Sequence, residues 1–380
     1  MSTGMSTDPD AIPEPDRIDG APHPREAARV IGQDAAEAAF LTAYTSDRLH
    51  HGWLITGPRG VGKATLAWRI ARFLLATPPD DGGMFAAPTP TSLDVSDDHP
   101  VARRLKALSE PGLFLLRRPW DEKNKRLKGD ITVDEVRKLK HFFAMSSAGG
   151  GRRVVIVDVA DQMNTSAANA LLKLLEEPPE GAVLLLISHQ PSRLLPTIRS
   201  RCRELRLSPL SPPDLAQVMA GLDETPSADE TQRLGELAAG SAGDALRLLH
   251  LDGLAIYATL IEIFSAGRGF DRPRALKLAN SAVGKANAER FELILRLFEL
   301  FLARLARHGT GFPPGAEAAP GEAACLARLS PGPDAARGWA SLQQELSARA
   351  NHGRAVNLDP AALILDMVFR INETAARQAA

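Results

Sequence analysis

The chain's 380 residues carry 45 basic and 46 acidic side chains, a net charge of −1, so no global basic field holds nucleic acid unaided. An apolar share of 44% with 24% charged residues excludes a largely disordered class, and two cysteines, Cys202 and Cys325, exclude a disulfide framework or a four-cysteine zinc site. No apolar run reaches the length of a membrane span and the first residues lack a basic-then-apolar leader, so a cytoplasmic protein of two or three domains is expected.

Residues 1–22 are rich in Pro, Asp, Gly and Ser and poor in large apolar groups, and a disordered tail is expected there. Val30-Ile31-Gly32-Gln33 leads into a helix near 34–46. Trp53-Leu54-Ile55-Thr56 reads as a buried strand, and Leu66, Ile70 and Leu74 share one face of the helix that follows. Between strand and helix lies Gly57-Pro58-Arg59-Gly60-Val61-Gly62-Lys63-Ala64-Thr65. Glycines let such a loop curl its N–H groups into an anion nest at a helix N-terminus, with the lysine reaching the β/γ-phosphates. The position after the lysine normally supplies a hydroxyl to Mg²⁺, and here it is Ala64. Thr65, one step on, points about 100° away on a helix and is a poor substitute.

Residues 77–100 turn to Pro, Gly, Asp, Ser and Thr with little periodicity, and a mobile surface connection is expected within a variable insertion over 77–110. Gly112 to Leu116 reads as a short buried strand, and Arg117 to Lys128 as a charged excursion holding Trp120. Thr132-x-x-Glu135 has capping-box spacing before a helical stripe of Val133, Val136, Leu139 and Phe143. Val154 to Asp158 is a β-branched run ending in an acid, placed where a metal-holding carboxylate belongs; the next residue, Val159, accepts no proton, and Asp161 is three positions on. A helix over 165–177 stops at Pro178-Pro179, a buried strand follows at 183–187, and 202–207 alternates like an edge strand.

The segment 193–206 concentrates Arg193, Arg199, Arg201, Arg203 and Arg206 against Glu204 as the one local acid. A solvated basic face and an arginine offered to a neighbour's phosphate both fit that pattern. Cys202 reads as a buried small apolar residue, and Arg247, alone on a helix, as surface or as a residue reaching toward nucleotide. A glycine-rich turn without ligand and a strand-ending acid remain the plain alternatives for Lys63 and Asp158. The alternation of strands and helices predicts a parallel α/β sheet covered on both faces, ending at about Leu207 before the Pro/Ser run 208–213. Everything beyond reads helical, with Phe291, Leu295, Phe298 and Leu302 on one long apolar face.

Four stretches together resemble one family, the clamp-loader AAA+ proteins of bacterial DNA polymerase III. They are 57–65, Gly151-Arg152-Arg153-Val154-Val155-Ile156-Val157-Asp158, Asn169-Ala170-Leu171-Leu172-Lys173-Leu174-Leu175-Glu176-Glu177-Pro178-Pro179, and Ser200-Arg201-Cys202. The resemblance covers about 24–250. It implies an AAA+ P-loop α/β domain over 23–207, a small helical lid over 208–252, and an all-α collar over 253–380. It also implies a pentameric ring with the ATPase subunits gamma/tau and delta, which places the sliding clamp on primer-template DNA. Within that family a non-hydrolysing stator offers the Ser-Arg-Cys arginine, Arg201 here, as a catalytic finger in trans. Gly57, Gly60, Gly62, Lys63, Thr65, Asp158 and Arg247 then form a degenerate site that holds ATP or ADP without turnover. Ser188 falls near the family's sensor-1 position and Arg247 near sensor-2. The zinc module that many members carry after the first P-loop helix lacks its cysteines here, so no zinc is expected. An active ATPase motor subunit of the same machine is the alternative, and Ala64 and Val159 argue against it.

Overall fold

The computed structural model describes residues 14, 17, 21–46, 48–77, 89–144, 151–222, 224–266 and 269–378, without the side chains of residues 285 and 355. They divide into two compact units, 1–222 and 223–380. The expected tail over 1–22 lies outside the described residues except at 14, 17, 21 and 22, where Glu14 accepts a 2.7 Å bond from Arg25 and Ala21 is buried.

In chain order the first unit runs α1 (Asp34–Thr45), β1 (Gly52–Thr56), α2 (Lys63–Ala76), α3 (Pro100–Lys106), β2 (Leu113–Arg117), β3 (Trp120–Asp121), β4 (Arg126–Leu127), α4 (Val133–Ala144), β5 (Arg153–Asp158), α5 (Thr165–Glu176), β6 (Ala182–Ile187), α6 (Pro196–Arg199), β7 (Arg203–Arg206) and α7 (Pro212–Ala220). The described residues form a five-stranded parallel sheet in the order β2-β5-β6-β1-β7. Continuous apolar runs in β1, β5 and β6 are what a sheet covered on both faces requires. Alternation along β5 sends Val154 and Ile156 to the layer that holds Phe40, Leu66 and Ile70, and Val155 and Val157 to the layer that holds Leu139, Leu171 and Ile198. As its alternation predicted, β7 is an edge strand paired to β1 alone.

Three local expectations are corrected. The buried phenylalanine of α4 is Phe142, with Phe143 half-buried beside it, because the helical stripe starts at Val136 rather than at Val133. The excursion 117–128 is a small antiparallel hairpin, β3–β4, pairing Trp120 with Leu127 and Asp121 with Arg126. The described part of the connection, 89–99, is pinned to α2 rather than loose. Leu93 is buried in the core, and Arg69 and Arg72, themselves buried, reach Asp94 at 2.9 Å and Asp97 at 3.6 Å. Residues 78–88 lie outside the described residues.

The second unit is helical: α8 (Ala228–Ala238), α9 (Ala242–His250), α10 (Gly253–Ser265), α11 (Arg272–Asn280), α12 (Ala288–Gly309), α13 (Glu322–Leu329), α14 (Pro333–Ala355) and α15 (Pro360–Gln378). Ser227, Ser241 and Asp271 cap α8, α9 and α11 by accepting from backbone N–H groups three positions on. The predicted stripe on α12 is buried, and Phe301 beside it stacks on Phe264 at 5.5 Å. Among the described residues no single helix is long and apolar enough to cross a membrane.

Candidate functional site

The glycine loop joins β1 to α2 as its spacing predicted. Gly57 has φ +139°, and a Cβ there would stand 2.6 Å from the Leu207 carbonyl oxygen, so the loop can leave β1 beside the end of β7 only with glycine. Gly60 and Gly62 also have positive φ, and Gly62 is the N-cap of α2, which turns backbone donors toward one concavity at a fourteen-residue helix.

Lys63 is buried, and its ammonium donates to the Gly57 carbonyl at 2.7 Å and to the Pro58 carbonyl. Burial lowers its pKa to about 8, against the upward pull of Asp161 and Asp158 and with Arg59 adding to the fall. The ammonium is thus held by loop carbonyls, neutral acceptors that a phosphate can displace. Asp158 is buried at the end of β5, within electrostatic range of Lys63. Ala64 is half-buried and its methyl packs on the core layer beneath α2. Thr65 is half-buried on the first turn. A loop of this kind offers backbone donors and one cation, the groups a polyphosphate needs, and Ala64 stands where a hydroxyl would ligate Mg²⁺.

Asp161 and His189 stand within electrostatic range of Lys63; sequence reasoning set the first aside and passed over the second. The Asp161 carboxylate accepts from Ser188 Oγ at 2.6 Å, from the His189 N–H at 2.6 Å and from the Gln190 N–H at 3.0 Å. Ser188 is fully buried, and Asp161 fastens the strand exit that carries it. A carboxylate committed to three donors is not available as a base for water. Val159, half-buried in extended backbone, offers no acceptor. His189 is lowered to about 4, first by burial and then by Lys63, with Asp161 opposing and Arg59 reinforcing. The imidazole is therefore neutral at pH 7.

Gln33, three residues after Val30, was read only as a lead-in to α1. It is buried, and its amide nitrogen donates to the Val61 carbonyl at 3.2 Å and to the Ser208 carbonyl at 2.8 Å. Its amide oxygen accepts from the Ser208 N–H at 3.2 Å. One side chain thus ties the glycine loop to the exit of β7. A buried glutamine preceding a helix is the only signal the sequence offered.

Arg201 and the start of β7 lie at the other end of β1. β1 and β7 are parallel, with Trp53 beside Arg203 and Thr56 beside Arg206. Arg201 therefore stands at the amino-terminal end of β1, where a Cβ on Gly52 would come within 3.1 Å of the Arg201 carbonyl oxygen. Its guanidinium donates to the Thr197 carbonyl at 3.0 Å and pairs with Glu176 at 2.9 Å, with 38% of the side chain exposed. Glu204 was expected to be the local counter-charge; instead it accepts from Thr56 Oγ1 at 2.6 Å, and the acid facing Arg201 comes from the end of α5. Arg203 lies over the Trp53 ring at 5.4 Å. Burial raises the Cys202 thiol to about 12, as suits a packing residue. In the second unit Arg247 lies 3.7 Å from Asp244, whose carboxylate also holds Arg296. Among the described residues no cluster of three or more His, Cys, Asp or Glu side chains could hold a metal ion.

The fold and loop define a P-loop-type α/β domain, with Ala64 after the loop lysine and Val159 after the acid that ends β5. The family described as "DNA polymerase III, delta subunit" matches residues 32–211. The delta' subunit of DNA polymerase III from Pseudomonas aeruginosa PAO1 is 39% identical over 206 residues, 54% of this chain and 57% of that protein. The Escherichia coli K12 delta' subunit is 32% identical over 223 residues, 59% and 61% of the two chains. The gamma/tau subunit of Mycobacterium tuberculosis H37Rv is 31% identical over 210 residues, 53% of this chain and 32% of that one. The chain thus spans less than two thirds of the length of these relatives. Residues 32–211 are thus similar to the delta-type subunits of DNA polymerase III, in agreement with the resemblance carried by the motifs. Among solved structures, a DNA polymerase III gamma subunit-related protein of Thermotoga maritima aligns over 88% of this chain and 99% of its own, with 15% identity and a TM-score of 0.39.

Proposed function

We propose that the chain is the delta-prime-type stator of a DNA polymerase III clamp loader, which turns over no ATP itself and supplies Arg201 to nucleotide on a neighbouring gamma/tau subunit. One observation carries the reading: Arg201 and the glycine loop occupy opposite ends of β1. Five residues of strand span roughly 16 Å at about 3.3 Å each, well beyond the reach of an arginine side chain toward phosphates at the Gly57 end. If this guanidinium acts on a γ-phosphate, that phosphate belongs to another subunit. Ala64 and Val159 supply the complementary half, a P-loop without metal ligand or base.

In this reading Gly57, Gly60, Gly62, Lys63 and Thr65, with Asp158, hold ATP or ADP without hydrolysis. Lys63 is released from the loop carbonyls to the phosphates, and Ser188, fastened by Asp161, keeps the strand exit in one position. Residues 208–252 serve as a lid, and 253–380 as the collar that joins gamma/tau and delta in a pentameric ring. The ring loads the sliding clamp on primer-template DNA in the cytoplasm. The similarity to gamma/tau favours a second reading, an active motor subunit. The test is steady-state ATP turnover by the purified chain with Mg²⁺. The stator reading expects none above a protein-free blank, and robust turnover establishes the motor.

A further inference from the structure

The β3–β4 hairpin has no part in the site above, and it concentrates charge in a chain whose net charge is −1. Between residues 117 and 128 stand six basic and two acidic side chains. Lys123, Lys125, Arg126 and Lys128 are exposed, and among the described residues none of the four forms an ion pair; Lys128 alone acts on Asp121, and only weakly. The contrast is with α4 just beyond, where Arg137 pairs with Asp134 at 2.9 Å and Lys138 with Glu135 at 2.7 Å.

The tip is shaped as well as charged. Asp121 accepts from the backbone N–H groups of Lys123 and Asn124 and from the Asn124 amide at 2.7 Å, so its carboxylate is consumed in holding the turn. The Lys128 N–H closes the base by donating to the Pro119 carbonyl at 2.9 Å, beneath the half-buried pair of Trp120 and Leu127. Four cations are therefore carried on a braced turn, which lowers the ordering cost of meeting a row of anions.

We propose that this hairpin is a contact for the phosphate backbone of nucleic acid. The choice of nucleic acid over an acidic protein surface rests on the replication function proposed above. The regularly spaced charges of a phosphate chain suit four uncompensated cations that carry no base-reading geometry.

The experiment measures fluorescence anisotropy of a labelled DNA single strand and of a duplex with the purified chain, over a salt series starting at about 50 mM. Wild type is compared with a variant carrying Lys123→Gln, Lys125→Gln, Arg126→Gln and Lys128→Gln, and with a control carrying Arg137→Gln and Lys138→Gln. The hairpin variant is expected to lose about tenfold to hundredfold in affinity at low salt, with the slope of log K against log salt smaller by about 3, near 0.7–0.9 per lost phosphate contact. The control stays within about twofold, its cations being already paired. A Lys123→Gln, Lys128→Gln double variant, expected to lose about half the slope, keeps the test open if the quadruple variant folds poorly. Equal affinity and slope for wild type and a folded hairpin variant, or no salt-dependent binding by wild type, overturns the proposal. The measurement needs neither the ring nor Arg201, so its failure leaves the stator reading standing, and the reverse also holds.

Discussion

Arg201 and Glu176 form a 2.9 Å ion pair at the amino-terminal end of the sheet, joining the segment before β7 to the last residue of α5. Both side chains are about two-fifths exposed, and a pair of that kind contributes about 0–1 kcal/mol to stability. With Thr197 holding a second nitrogen, its main consequence is to set the direction of the guanidinium. Glu176→Ala should leave the urea midpoint nearly unchanged while lowering DNA-stimulated ATP turnover of the assembled loader several-fold. Glu176→Gln, which keeps an acceptor, should recover much of it. Turnover equal to wild type in Glu176→Ala would remove Glu176 from this role.

Gln33 bridges the glycine loop at Val61 and the exit of β7 at Ser208. Gln33→Ala leaves the Val61 carbonyl and both backbone groups of Ser208 without their partner, at a cost of about 1–3 kcal/mol. Chemical denaturation measures that loss. Amide hydrogen exchange should show Ser208 losing protection by more than the global change accounts for, because the clamp is local.

Lys63 gives a pH dependence with a definite sign. Its pKa in the folded chain is about 8, below the ordinary 10.5, because of burial. The unfolded chain therefore binds the extra proton across that window, and stability rises as pH increases from about 8 to 10.5. Comparison of wild type with Lys63→Met isolates the effect: the variant should be the more stable at pH 7, and the gap should narrow as pH rises. Affinity for ADP or pyrophosphate should run the other way and fall above about pH 8, where the ammonium is lost. Calorimetry at two pH values checks it.

In the second unit, Arg304 and Glu322 are both buried and bonded at 2.7 Å, with Tyr257 donating to the same carboxylate at 2.5 Å and the Ala318 N–H at 2.7 Å. Burial, with the carboxylate beside it, holds the Tyr257 phenol far above its ordinary range, so it remains a donor. Glu322→Ala removes the buried acid from Arg304, leaving Glu236 at 3.3 Å as its acidic partner, and should cost about 3 kcal/mol. Thermal unfolding measures the loss, and Glu322→Gln should cost less because it keeps the acceptor for Tyr257.

What the sequence disclosed follows from range. The runs in β1, β5 and β6 and the loop between β1 and α2 carry their signals within a few residues, so the strands' positions and those of Lys63, Ala64 and Asp158 were legible, while the order of the strands in the sheet was not. Gln33 meets Ser208 across 175 residues, Arg201 meets Glu176 across 25, and Arg69 meets Asp94 across 25. Such pairings leave no local pattern, which is why the connection 89–99 reads as loose and Glu204 as the partner of the arginines. The two-residue strands β3 and β4 are too short for alternation to show. Asp161 was set aside on spacing, and its three bonds to the strand exit become visible only once β5 and β6 lie side by side.

The most direct test of the trans role is ATP turnover by a loader reconstituted from gamma/tau, delta and this chain, with primed DNA and sliding clamp, comparing wild type with Arg201→Ala. An arginine finger contributes about 10³–10⁵ to the rate at the site it serves, so the assembled mutant should lose DNA-stimulated turnover by about tenfold or more while still forming the complex. Undiminished turnover by a correctly assembled Arg201→Ala loader would contradict the account.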